Sequence, residues 1–245
     1  MFMKHLTFVI YLFIILVIAH HLMIYMHEWT HGFVAWIAGY KSSPFDIHYG
    51  EKWFTLWDID EAVNYPKIYL DGKAYLVAWI AIAPTLLQMI LFPIGLKVLS
   101  LSKIQEKWWL FAFFYFFTLF LLSETYAYIP IRTFSSVDDI HNYLTATGWS
   151  PWSIAIPGTL YVIWGMYQIL AKQIPRAYSS LKISTKLGRF VFKPLTIVIF
   201  FGYYGAIGFT KPDAISHLLS LISWAILLLS IVILCIQTMK KTASK

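Results

Sequence analysis

Two histidines and a glutamate stand in the run His27-Glu28-Trp29-Thr30-His31, inside a long apolar stretch near the start of the chain. On a helix, positions i and i+4 share a face, so both imidazoles can reach one ion, with the intervening carboxylate beside its open position. This H-E-x-x-H spacing suits Zn²⁺ hydrolysis: the metal brings the pKa of bound water to about 7 and polarises a carbonyl, and Glu28 takes the proton as general base. With 8 histidines in 245 residues, roughly 0.005 accidental matches are expected in a chain of this composition. The motif also meets an energetic requirement. Two imidazoles and a carboxylate are costly among apolar neighbours, and a metal satisfies all three.

Two histidines and a water leave zinc one protein ligand short. Glu124, within an apolar segment, and the pair Asp138-Asp139, after Pro130, are the carboxylates considered for it. His20 precedes His27 by two helical turns, about 10 Å, too far to share an ion, so it lines the same cavity or packs. His21, His48, His141 and His217 read as interfacial or structural. Arg132 could steady an oxyanion or anchor to headgroups. Gly32, Ala35 and Gly39 offer a small-residue flank for close packing.

The elements that carry these residues must sit in a bilayer. The chain is 59% apolar and 13% charged, with a mean hydropathy of +0.66. Six segments approach or exceed the ~20 residues of a membrane crossing: Leu6–Gly39, Ala74–Leu101, Trp108–Ile129, Trp152–Ala171, Phe190–Phe209 and Ala214–Ile236. Pro84 and Pro93 predict kinks or local unwinding in the second. The first is too long for a signal peptide and is expected to remain. Between the first two, Tyr40–Lys73 alternates apolar and polar residues around Gly50-Glu51-Lys52, as a β-hairpin would. The expected fold is therefore an all-α integral membrane protein of about six transmembrane helices, with a small β-hairpin in the loop after helix one.

The net charge of +7 reflects basic residues at segment ends and in one loop, a pattern of topology and anionic-lipid contact that argues against nucleic acid. With the amino terminus inside, thirteen of the 19 basic residues lie on the inner side, six of them from Lys172 to Lys193, and nine of the 12 acidic residues lie outside. Both termini are then expected in the cytoplasm, in a plasma or inner membrane. Cys235 is the single cysteine, so disulfides and thiolate metal sites are excluded.

The chain resembles the site-2 protease family of intramembrane zinc metalloproteases over roughly its first 145 residues. The matching elements are HEWTH at 27 to 31, AIAPTLLQ at 81 to 88 and YIPIRTFSSVDDI at 128 to 140. The resemblance implies Zn²⁺ held by His27, His31 and Asp139, with Asp138 the near alternative, and Glu28 as catalytic base; Glu124 is considered only for its place inside an apolar segment. It also implies a peptide or membrane-protein substrate. Residues 1–245 would form one membrane domain, with a metalloprotease-like core over 1–145 and three further helices over 146–245. The chain departs from the family at Ala83 (glycine expected), Gln88 (asparagine) and Asp139-Ile140 (Asp-Gly). Those departures motivate a rival reading, a non-catalytic scaffold, transporter or metal-binding regulator. The same ligands would also serve a hydrolase of lipids or other amides. The charge count puts HEWTH towards the outer face, whereas the family holds its site nearer the cytosolic one.

Overall fold

The computed structural model describes residues 2–50, 56 and 59–243. Among them, six helical spans are long and apolar enough to cross a membrane: Thr7–Ile37, Ala74–Val98, Trp108–Ile131, Trp152–Ser180, Val191–Thr210 and Ala214–Gln237. The protein is an all-α, multi-pass membrane bundle. Helix α1 (Phe2–Ile37) exposes Val9, Phe13 and Ile18 outward, as expected of a helix that is apolar all round and faces lipid. It stops where Gly39 takes φ +80°, with Tyr40 N–H donating to Ala35 O, a left-handed termination that glycine permits without strain.

Beyond α1 come the short strands β1 (His48–Tyr49) and β2 (Ile59–Asp60), then α2 (Tyr65–Leu70), α3 (Ala74–Val98) and α4 (Ser102–Gln105). Helix α5 (Trp108–Tyr126) forms the core, burying Phe111, Tyr115, Phe116 and Phe120 against its neighbours, and runs into a π-helical turn at Ala127–Ile131. Helix α6 (Asp138–Thr147) follows and packs on α3. The fourth span is α7 (Trp152–Tyr167), a π turn (Gln168–Gln173) and α8 (Ile174–Ser180). The fifth is α9 (Lys186–Ile197), a π turn (Val198–Tyr203) and a 3₁₀ segment (Tyr204–Thr210), and the sixth is α10 (Ala214–Ala243). Between helices in lipid, close approach replaces the hydrophobic effect as the source of attraction. Gly158 and Gly165 of α7 accordingly lie so near Ile129 and Leu122 that a methyl group at either would overlap them.

Pro84 and Pro93 leave α3 continuous, without the local unwinding that was one expectation. A proline has no N–H for the carbonyl four residues earlier, so Ile80 and Met89 lose their helical donors. Side chains replace them: His31 Nδ1–H donates to Ile80 O at 2.7 Å, and Tyr161 O–H donates to Met89 O at 2.6 Å.

Other expectations need correcting. The strands pair antiparallel as His48↔Asp60 and Tyr49↔Ile59, a register centred past Gly50-Glu51-Lys52; residues 51–55 and 57–58, most of the expected second strand, lie outside the described residues. The fourth span runs nine residues past Ala171 to Ser180, so Lys172 and Arg176 are helical and much of the expected basic loop is not loop. Gly39 terminates α1 with open space around it, and Gly32 abuts the Pro44 backbone. Gly32 and Ala35 pack closely as foreseen, Ala35 in a cluster with Ile68, Val77 and Ile80.

Candidate metal centre

Helix α1 presents His27 and His31 on the face turned towards α3 and α5, each 1% exposed. The π turn after α5 lets the chain pass Pro130 and reverse into α6, whose first turn carries Asp138 and Asp139. Carboxylates are favoured there by the unpaired N–H groups of a helix start. The two aspartates diverge. Asp138, at φ +80°, points away and accepts from Lys211 Nζ at 2.7 Å, with Arg132 at 3.9 Å. Asp139 points inward.

Asp139 Oδ2 lies 3.3 Å from His27 Nε2 and 3.1 Å from His31 Nε2, and the two nitrogens are 3.2 Å apart. Ligands 2.0–2.1 Å from a tetrahedral zinc are separated by about 3.3 Å, so the triangle has the dimensions of one face of a zinc tetrahedron. Hydrogen bonding alone fits less well. Because His31 already gives its Nδ1 proton to Ile80 O, sharing a second proton with Asp139 would require a buried imidazolium. A cation removes that requirement. The residues Asp139, His27 and His31 form a buried group competent to hold a metal ion.

The surroundings of His27 point the same way. The Gln88 amide nitrogen is 3.0 Å from His27 Nδ1, and Gln88 Oε1 is buried without a partner. Rotating the amide by half a turn lets Oε1 accept the Nδ1 proton and leaves Nε2 free for a cation, the outer-shell arrangement typical of ligating histidines. Tyr128 stacks on a face of the imidazole at 4.7 Å, and the Arg132 guanidinium stacks on Tyr128 at 3.6 Å. Arg132 is 6% exposed and gives its Nε proton to Ala127 O, so it is an internal brace and not a headgroup anchor.

Tyr128, Arg132 and Asp139 border a cavity of about 940 Å³, which Glu28, Glu61, Glu124 and His20 also line. Burial works against ionisation of Asp139, but its electrostatic contact with His31 and the hydrogen bonds to both imidazoles outweigh it and hold the carboxyl below its usual range. Glu61 is pushed up by burial, with His31 pulling it down and Asp139 and Asp60 adding to the rise.

The site therefore assembles His27, His31 and Asp139, with Glu28 beside them, and excludes two carboxylates considered from sequence. Asp138 is committed to Lys211, and Glu124 lies in the cavity wall outside the ligand group. His20 lines that cavity, packed against Phe120 and Tyr203. His21 bonds Val17 O, His217 bonds Lys211 O, and His141 contacts Thr145; with His48, they belong to no metal-competent group among the described residues. Glu61 and Tyr128 went unnoticed in the sequence. Glu61 belongs to no motif and Tyr128 is only the first residue of the 128 to 140 element, although the register of Pro84 does flag Ile80 O as an acceptor seeking a donor.

No protein-family model matches the chain, and no curated protein or solved structure matches it.

Proposed function

We propose that this protein is an intramembrane zinc metalloprotease of the site-2 protease type, hydrolysing peptide bonds of membrane or membrane-associated substrates. One observation carries the reading: ligand atoms 108 residues apart, on α1 and at the start of α6, meet in a triangle with sides of 3.1–3.3 Å, with the Glu28 carboxylate adjoining. Bound zinc supplies an electrophile for the substrate carbonyl and acidifies water to near neutrality. Glu28 faces the cavity one residue after His27 and accepts the proton, then returns it to the leaving amine. Gln88 and Ile80 O hold the two imidazoles in orientation, and the Tyr128–Arg132 stack keeps His27 from swinging. Ile59 and Asp60 of β2 border the cavity, which suits an extended peptide laid alongside a strand.

Six crossings return the chain to the side on which it started. We place that side, with the termini and most lysines and arginines, in the cytoplasm of a plasma or inner membrane. His27 lies 20 residues after Thr7 and ten before Ile37, about 30 Å and 15 Å of helix, so the site opens in the outer half. A carboxy-terminal reporter active only outside the cytoplasm tests this orientation; activity there would reverse it. For catalysis, the purified protein should carry about one zinc per chain. Glu28→Gln should keep that zinc while losing hydrolysis of membrane peptides by about 10²–10⁴-fold. Undiminished hydrolysis would remove Glu28 from its role.

A further inference from the structure

Glu124 is an acidic side chain that the metal centre leaves without a task. It belongs to α5, inside the third membrane span, is 7% exposed and lines the cavity of about 940 Å³. Among the described residues no basic side chain pairs with it. Lys211 and Arg132, the bases of the cavity wall, both face Asp138, at 2.7 and 3.9 Å, although Glu124 feels the Arg132 charge through space. An ionisable group inside a membrane span is costly without a partner, so it marks the path of a ligand.

The same stretch of wall carries other polar groups in want of a partner. Tyr204 is 4% exposed and lines the cavity, and its hydroxyl has no hydrogen-bond partner. The buried Nε2 of His20 has none either, and the His20 ring lies 6.1 Å from that of Tyr204. Helices α1 and α5 run side by side in one direction, with His20 against Phe120 and His27 against Tyr128. Glu124 therefore lies one helical turn, about 6 Å, from the level of the ion, a span of about two residues of extended peptide.

Charge indicates what the occupant carries. Among the described residues, six acidic side chains line the cavity against two basic ones, and a dication at the centre raises the positive charges only to four. We infer that Glu124, with Tyr204 and His20 beside it, receives a lysine or arginine side chain of the substrate, within about two residues of the bond that is cleaved. This names a substrate class for the protease proposed above and rests on that reading. The cationic group donates to the Glu124 carboxylate away from bulk water, where such bonds are strong. A neutral side chain is rejected because it leaves the carboxylate unpaired.

The test uses the full-length protein with zinc in an uncharged detergent, and fluorescent membrane-spanning peptides bearing one arginine, or citrulline as its uncharged isostere, at matched positions. Anisotropy measures binding and gel mobility measures cleavage. Arginine peptides are expected to bind about 10–100-fold more tightly, the worth of a charge-assisted hydrogen bond. Glu124→Gln should erase that ratio, and Glu124→Asp should keep part of it. Equal binding of both peptides by the wild type, or a ratio untouched by Glu124→Gln, would overturn the inference; the wild-type comparison decides should the variants fail to fold. A preference for arginine without cleavage would keep the subsite and remove the protease reading, and cleavage without preference would do the reverse.

Discussion

Asp138 and Asp139 are neighbours of identical chemistry, and the structure gives them opposite fates, so exchanging each for asparagine isolates the contribution of the third ligand. Asp139 Oδ2 closes two sides of the ligand triangle, at 3.1 and 3.3 Å, whereas Asp138 Oδ1 is held by Lys211 at 2.7 Å. Apparent zinc-binding free energies of about 10–16 kcal/mol for four-ligand sites correspond to about 2.5–4 kcal/mol per ligand. At 1.4 kcal/mol per tenfold, Asp139→Asn should weaken zinc binding by about 10²–10³-fold. The change is isosteric, so packing around Ile82, Tyr128 and Ile140 is preserved. Asp138→Asn removes an ion pair outside the centre and should shift zinc affinity by less than about threefold, because a partly exposed pair is worth about 1 kcal/mol or less. Competition with a chromophoric zinc chelator, in detergent, measures both. Equal affinities for the two variants, or a larger loss for Asp138→Asn, would refute the assignment of Asp139.

Two further outcomes follow from groups that support the centre. Gln88→Leu, which leaves His27 Nδ1 without its neighbour at 3.0 Å, should weaken zinc binding by about 10–100-fold. Gln88→Glu, which can accept the Nδ1 proton, should bind nearly as the wild type, and a wild-type affinity in Gln88→Leu would show that the contact is idle. Tyr161→Phe strips the donor from Met89 O, bared by Pro93, and should lower the thermal stability of the detergent-solubilised protein by about 0.5–1.5 kcal/mol without altering zinc stoichiometry. An unchanged melting temperature would mean that this carbonyl finds another partner.

Local features were legible from residues alone. Helical periodicity placed His27 and His31 on one face, and sustained apolar runs marked all six spans, because a bilayer forces every backbone polar group to be satisfied within its own helix. The ends of those spans were less legible. Basic residues continue the fourth helix to Ser180, since lysine and arginine stems can extend along a helix while their charged heads reach the interface. Helix α6 also escaped notice, being short, amphipathic and poorer in apolar residues than the spans around it.

Which carboxylate joins the histidines was a matter for tertiary structure. One peptide unit separates Asp138 from Asp139, and composition treats them alike; the turn after Pro130 directs one towards Lys211 and the other towards α1. The same holds for Ile80 O and Gln88. Proline chemistry announces a bare carbonyl, but only the packing of α1 on α3 brings His31 to it and sets His27 against the amide. Sequence determined which groups need partners, because that follows from covalent chemistry. The bundle determined which partners they have, because helices distant along the chain meet only after they have packed.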